Sequence, residues 1–123
     1  MNILNLTQHN ASQEQIQAGV IEPKDKKLVQ DLLTFSGIPG AADMDRRGYS
    51  LARIAIESGC KTAMIGGAPF FMAPLERQLV ANGIQPVYAF SVRESVDTVL
   101  ENGAIVKKAV FKHLGFYSAE EGF

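Results

Sequence analysis

Three short apolar runs, Asn2-Ile3-Leu4-Asn5-Leu6, Thr62-Ala63-Met64-Ile65 and Pro86-Val87-Tyr88-Ala89-Phe90, each give way to polar or glycine-rich residues, and segments of helical period separate them. This alternation constrains the fold more than any other feature. Strands that are apolar on both faces must be covered on both, and strand-helix-strand repetition predicts a parallel sheet joined by right-handed crossovers. Ser12 with Gln15 three residues later has the capping-box pattern, so Glu14 to Ala18 makes one or two helical turns before Gly19. Pro23 suits a first helical position. The spacings Leu28/Leu32 and Val29/Leu33 then extend an amphipathic helix to about Phe35, and Ser36-Gly37-Ile38-Pro39-Gly40 breaks it. From about Asp43 to Ser58, Leu51, Ile54, Ala55 and Ser58 share a face while Arg46, Arg47, Arg53 and Glu57 face water, and Gly59 ends the helix. A further helix is expected over Pro74 to Asn82, closed by Gly83.

The last quarter changes character. Val96 to Leu100, Glu101-Asn102-Gly103, and Ile105 to Phe111 read as a hairpin, because Asn-Gly tolerates the positive φ angles of a type I′ turn. The expected architecture is a single α/β domain over residues 1–123: a small Rossmann-like three-layer unit with a parallel sheet and a C-terminal antiparallel β-hairpin.

Charge and composition then restrict function. Twelve Lys and Arg against thirteen Asp and Glu, a net charge of −1, argue against a protein that coats DNA or RNA through bulk charge. One cysteine, Cys60, excludes an intramolecular disulfide, and with only two histidines no ordinary structural zinc set can be assembled, so metal-free and cofactor-free chemistry is expected. Cys60 itself precedes a buried strand and reads as inert. The longest uncharged apolar stretch, Thr62 to Leu75, holds two glycines and two prolines and falls short of the ~20 residues that span a bilayer. The opening residues lack a basic leader, so an intracellular, cytoplasmic protein is expected.

In open parallel sheets, ligands bind beyond the carboxyl ends of the strands. Three loops qualify: Thr7-Gln8-His9-Asn10, Gly66-Gly67-Ala68-Pro69 and Ser91-Val92-Arg93. Together they offer hydroxyls, an amide, an imidazole, a guanidinium and backbone without side chains, a set that suits a phosphate-bearing ligand. Gly66-Gly67 would let a ligand approach the main chain, although a plain strand-to-helix turn explains the pair as well. No G-x-G-x-x-G and no G-x-x-x-x-G-K-[ST] is present, which removes the dinucleotide and Walker fingerprints. Between Gly103 and Ser118 stand Lys107, Lys108, Lys112 and His113 without an acidic residue, interleaved with Phe111, Phe116 and Tyr117. Lysines that blunt an exposed sheet edge account for this run, and so does a surface that contacts phosphate and stacks on bases. His9 and His113 are the groups whose unperturbed titration lies near neutrality. His9 stands just beyond the first strand. Cationic neighbours of His113 would favour its neutral form and suit it as a base.

The loop Gly66-Gly67-Ala68, the segment Gly83-Ile84-Gln85-Pro86-Val87-Tyr88-Ala89, the step Arg93-Glu94-Ser95-Val96, the turn Asn102-Gly103, and the closing Phe111-Lys112-His113-Leu114-Gly115-Phe116 carry a resemblance. In these features the chain resembles the small CRISPR-associated proteins with a CARF-like Rossmann core, the group that includes stand-alone ring nucleases of antiviral defence and relatives on mobile elements. The resemblance covers about half of the chain. It implies binding of a cyclic oligoadenylate, with possible metal-independent cleavage by attack of a ribose 2′-hydroxyl on its neighbouring phosphate. It further implies that Arg93, Lys107 and Lys112 stabilise charge, that Gly66 and Gly67 hold phosphate, and that Thr7, Gln8 and Ser91 bind ligand. His9 or His113 would move the proton, and a homodimer would match the repeated units of the ring. Two other readings stand beside it: a non-enzymatic protein that sequesters a nucleotide, and an interaction module without nucleotide turnover.

Overall fold

The computed structural model describes residues 2–118. Five strands form one sheet in the order β2-β1-β3-β4-β5, with β1 at Ile3–Leu6, β2 at Val20–Ile21, β3 at Thr62–Ile65, β4 at Gln85–Val99 and β5 at Ile105–Tyr117. The first four are parallel, and β5 returns antiparallel to β4. The Rossmann-like α/β expectation therefore holds. The short strand β2 was not legible, because two residues between Gly19 and Glu22 are too few to show any period.

Four helices connect these strands: α1 at Gln13–Gln17, α2 at Lys26–Leu32, α3 at Ala41–Ser58 and α4 at Pro69–Ala81. The capping box at Ser12 and Gln15 forms as its spacing predicts. Two helix starts differ from expectation. α2 begins after Asp25, whose carboxylate accepts from the Leu28 N–H, so Pro23 lies ahead of the helix rather than in its first turn, and α2 ends at Leu32, before Phe35. α4 begins at Pro69, five residues before Pro74. Pro69 takes the first helical position, where no N–H is needed, and Pro74 is carried inside the helix at the cost of one main-chain hydrogen bond. Tertiary packing offsets that cost: Phe71, Leu75 and Leu79 recur at i, i+4, i+8 and are fully buried.

Crossovers from β1 to β2 and from β2 to β3 run in opposite directions along the sheet, so one chain hand places their helices on opposite faces. The core is accordingly divided. Leu4, Leu6, Ala63 and Ile65 pack beneath α2, α3 and α4 through Val29, Leu32, Leu51, Ala55, Phe71 and Leu75. Ile3, Val20, Met64 and Val87 form a second, smaller cluster on the other face, with Ala11 and Phe116 against it. α3 and α4 cross closely at Gly48, where an added Cβ would stand 2.9 Å from Gln78 Cγ.

Arg46 faces water as expected, but Arg47 does not. Its guanidinium donates to the carbonyls of Leu32 and Thr34 at 3.0 and 2.7 Å, pairs with Asp43 at 2.9 Å and lies 4.2 Å over the Phe35 ring. It thus closes the carbonyl end of α2, where a cation opposes the helix dipole. Asp43 sits below the ordinary carboxylate range because Arg46 and Arg47 donate to it, against the opposing effect of desolvation.

Beyond Ala89 the fold leaves its core. β3 ends at Ile65, and the last paired residues are Met64 and Val87, so β4 from about Ala89 onward has β5 as its one neighbour in the sheet. The expectation that Pro86 to Phe90 is covered on both faces is met at Pro86 and Val87 and fails at Phe90, which is 53% exposed. From there β4 and β5 continue as a two-stranded ribbon. Its register shifts between Phe90 and Ser91: Phe90 opposes Gly115 and Ser91 opposes His113, leaving Leu114 as the extra residue of a bulge.

The ribbon turn is not type I′. Gly103 has φ +83°, but no non-glycine residue has a positive φ among the described residues, so Asn102 stays on the ordinary side. The Gly103 N–H donates to the Leu100 carbonyl at 2.9 Å, and the Leu100 N–H donates to the Ala104 carbonyl at 2.8 Å. This is a type I turn followed by a glycine in the left-handed region, with Asn102 Oδ1 accepting from the Ala104 N–H. Gly103→Val puts a β-branched residue at positive φ and is expected to destabilise the turn by about 1–3 kcal/mol. Amide hydrogen exchange should then rise in the ribbon while α3 and β1 keep their protection.

Candidate functional site

The strand order places β1 between β2 and β3, with the chain leaving β1 toward one face and leaving β3 toward the other. Such a point of reversal opens a crevice at the carboxyl ends of the strands, where ligands of open α/β sheets bind. A cavity of about 500 Å³ lies there, lined by Thr7, Gln8, His9, Asn10, Ser12 and Gln15 from the β1 side, Met64 and Ile65 at the end of β3 with Gly66 and Gly67 just past it, and Tyr88 and Ala89 from β4. That volume is ordinary for a small-molecule site.

Of the residues expected to bind ligand, Thr7, Gln8, Gly66 and Gly67 line this cavity, and so does His9, one of the two histidines expected to move a proton. Leu6 pairs with Ile65, so Thr7 and Gly66 emerge side by side, and a Cβ at Gly66 would come within 3.6 Å of Thr7 Cγ2. Gly67 has φ +146°, with Met72 Cε 3.7 Å from where its Cβ would be. Ser91, Arg93, Lys107, Lys112 and His113 are not part of the lining. Ser91 lies two residues past Ala89, about 7 Å farther along the strand at ~3.4 Å per residue. Arg93 opposes Phe111, Lys112 opposes Val92 and Lys107 opposes Asp97, all on the ribbon. His113 meets Phe116 edge-on, with ring centres 5.0 Å apart, and neither of its buried ring nitrogens has a hydrogen-bond partner among the described residues.

The loop at the heart of the site is held by residues that sequence reading passed over. Asn5 is fully buried in the middle of β1. Its Nδ2 donates to the His9 carbonyl at 2.8 Å and to both Glu22 carboxylate oxygens at 3.1 Å, while its Oδ1 accepts from the Thr7 N–H and from Thr7 Oγ1 at 3.0 and 2.6 Å. Lys26 Nζ donates to the carbonyls of Thr7 and His9, each at 2.8 Å, and pairs with Glu22 at 3.1 Å. Glu22 also accepts from the Ala11 N–H at 2.7 Å. Buried polar groups persist where every partner is supplied, and here a side-chain network from β1 and from the start of α2 fixes the path of Thr7 to Ala11. One signal was available: a lone amide inside a four-residue apolar strand either finds partners or serves a ligand.

Two further contacts shape the rim. Gln8 Nε2 donates to Thr34 Oγ1, just past α2, at 2.8 Å, and Gln30 on α2 donates to the Gln8 main-chain carbonyl at 3.0 Å, so both the side chain and the backbone of Gln8 are held. Tyr88 donates to Glu76 on α4, and desolvation together with that carboxylate raises its phenol well above the ordinary value. Thr7 spends its one hydroxyl proton within the loop, so its oxygen meets a ligand as an acceptor. His9 is exposed at the mouth, and the lining contains no Lys or Arg.

Burial works to raise the pKa of Glu22, but hydrogen bonds from Ala11, Asn5 and Lys26, with the Lys26 charge, outweigh it and hold the carboxyl below its ordinary value. A carboxylate of this kind contributes stability that is present above its unfolded value of 4.5 and is lost as the pH falls through the folded one. Thermal melts between pH 7 and pH 3 should therefore show the wild type losing more stability below about pH 4.5 than Glu22→Gln, which has no such proton to take up.

Among the described residues, no helix is long and apolar enough to cross a membrane. No curated protein and no solved structure matches the chain. The model of the uncharacterized protein MJ1673 family matches residues 1–117. With the match running from β1 through the end of the ribbon, the chain belongs to the MJ1673 family.

Proposed function

We propose that the protein binds a phosphate-bearing nucleotide, of the cyclic oligoadenylate type, in the cavity at the carboxyl ends of β1 and β3. The observation that carries this reading is the convergence of Thr7, Gly66 and Gly67 at the reversal point of the sheet, where main chain without side chains stands beside a hydroxyl. Glycine backbone accommodates close approach of a phosphate, and Thr7 Oγ1 accepts from a ribose hydroxyl. The resemblance to CARF-like proteins supports the ligand class, and a two-fold assembly belongs to the same reading.

Turnover would need the ribose 2′-oxygen to attack the adjacent phosphorus, closing a 2′,3′-cyclic phosphate and releasing the 5′-oxygen, which takes up a proton. His9 is the one imidazole in the lining and is the group placed to carry that proton. Sequestration without turnover is the second reading, favoured by a lining without Lys or Arg, since cleavage builds negative charge that one chain's cavity does not oppose. Calorimetric titration with cyclic tetra-adenylate, then chromatography of the products with and without a chelator, separates the readings. Saturable binding with linear product in both conditions supports ring cleavage, binding with intact ring supports sequestration, and no binding removes the nucleotide reading in favour of an interaction module.

A further inference from the structure

The ribbon has two free edges, and they are unlike. β4 leaves β3 after the Met64–Val87 pair and runs on to Val99, so from Ser91 to Val99 its second edge has no strand beside it, and no main-chain hydrogen bond reaches that edge among the described residues. At ~3.4 Å per residue this open edge is about 30 Å long. A two-stranded ribbon alone in water is marginally stable, and an open edge is a template for a further strand. The outer edge of β5 is guarded against such pairing, because Lys107, Lys108 and Lys112 stand along it without an acidic residue. β4 from Phe90 to Val99 has no lysine and no proline, and its charges, Arg93, Glu94 and Asp97, are of both signs. Neither Arg93 nor Asp97 is in an ion pair among the described residues.

A second copy of the same edge is the strand that fits. Hydrogen-bonded and non-hydrogen-bonded pairs alternate along an antiparallel ladder, so the two-fold axis of a self-paired strand passes through a residue and not between two. Five positions of the axis, Arg93 to Asp97, keep most of the edge paired. Axes through Arg93, Glu94 and Asp97 set a charge against its own copy, and the axis through Val96 sets no charge against another. The axis through Ser95 opposes Arg93 to Asp97 of the partner subunit, twice by symmetry, and directly opposed opposite charges stabilise a strand pair. It also opposes Val92 to Thr98. Carried to the ends of the edge, the same register brings Phe90 against Leu100, apolar side chains that are 53% and 42% exposed in the single chain.

We infer that two copies of this chain associate through the free edge of β4, antiparallel and centred on Ser95, so that two ribbons become one four-stranded sheet in the order β5-β4-β4-β5. Charge matching in this register names the occupant. The pairing supplies partners for the outward main-chain groups of β4 and adds the strands that a lone ribbon lacks. It also closes on itself, because the lysine-bearing β5 is outermost on both sides and stops further growth. Association of this kind requires no ligand and stands apart from the nucleotide reading.

Analytical ultracentrifugation of the full chain tests it. The wild type should sediment as a dimer at tens of micromolar. Arg93→Asp and Asp97→Arg each set like charges across the axis twice, and each should raise the dissociation constant at least tenfold. Arg93→Asp/Asp97→Arg restores opposite charges in the reverse sense and should recover the dimer, a rescue that a folding defect would not show. Lys112→Ala, on β5, should sediment as the wild type does. Amide hydrogen exchange supplies a second readout, since a lone ribbon protects alternate amides of β4 between Ser91 and Val99 and the paired edge protects successive ones. A monomeric wild type, a dimer indifferent to Arg93→Asp and Asp97→Arg, no recovery in the double variant, loss of the dimer in Lys112→Ala, or protection of alternate amides alone overturns the inference.

Discussion

Replacing Asn5 by Leu is expected to lower the unfolding free energy by about 3 kcal/mol and to abolish nucleotide binding, although Asn5 itself does not line the cavity. A leucine keeps the branching at Cγ and the apolar character of β1. It removes the acceptor for the Thr7 N–H and hydroxyl and the donor to the His9 carbonyl and Glu22. Each buried group left without a partner costs on the order of 1–3 kcal/mol, and the loss is limited because Lys26 still reaches Glu22 and the loop carbonyls. Chemical denaturation should show a lower midpoint with an unchanged slope, and titration should show no saturable binding. A stable variant that still binds would mean that the loop keeps its shape without this network.

The second large effect is expected at Gly67. Its φ of +146° is a conformation that β-branched residues do not adopt, and Gly67→Val should cost about 1–3 kcal/mol in strain. The larger consequence is for binding. A valine at this position adds bulk to the wall where main chain is otherwise bare, so affinity for cyclic tetra-adenylate should fall at least tenfold while thermal unfolding remains cooperative. Arg46→Ala removes an exposed cation of α3 that does not line the cavity and should leave affinity unchanged, which separates cavity shape from overall charge.

How far the sequence reveals the molecule depends on the length of the pattern. β1, β3 and the first residues of β4 are apolar runs with abrupt ends, and these are legible, as are α3 with its i, i+3, i+4, i+7 spacing from Leu51 to Ser58 and the capping box of α1. Where a single residue decides, reading was poorer. Pro74 suggests a helix start, but packing of Phe71 with Leu75 and Leu79 extends α4 back to Pro69. Asn102-Gly103 marks the turn correctly yet not its type, because one glycine with a bulge satisfies the same dipeptide.

The site divides along the same line. Thr7, Gln8, His9, Gly66 and Gly67 follow strand ends, so strand recognition alone brought them together. The apolar run that ends at Phe90 suggests that Ser91 and Arg93 join them in a loop, but β4 continues through Val99 as a ribbon and carries both beyond the rim. Glu22 and Lys26 are four residues apart, but Asn5 lies 17 residues before Glu22 and meets the pair through the β1-β2 crossover, a tertiary relation that no local spacing encodes.

Everything proposed for the nucleotide depends on its sitting in the cavity between the ends of β1 and β3. Amide chemical shifts recorded during titration with cyclic tetra-adenylate test this directly. Saturable shifts are expected at Thr7 to Asn10, Gly66 and Gly67, with the ribbon tip around Glu101 to Ala104 unmoved. Shifts confined to the ribbon, or no saturable shift at Gly66 and Gly67, would contradict that placement.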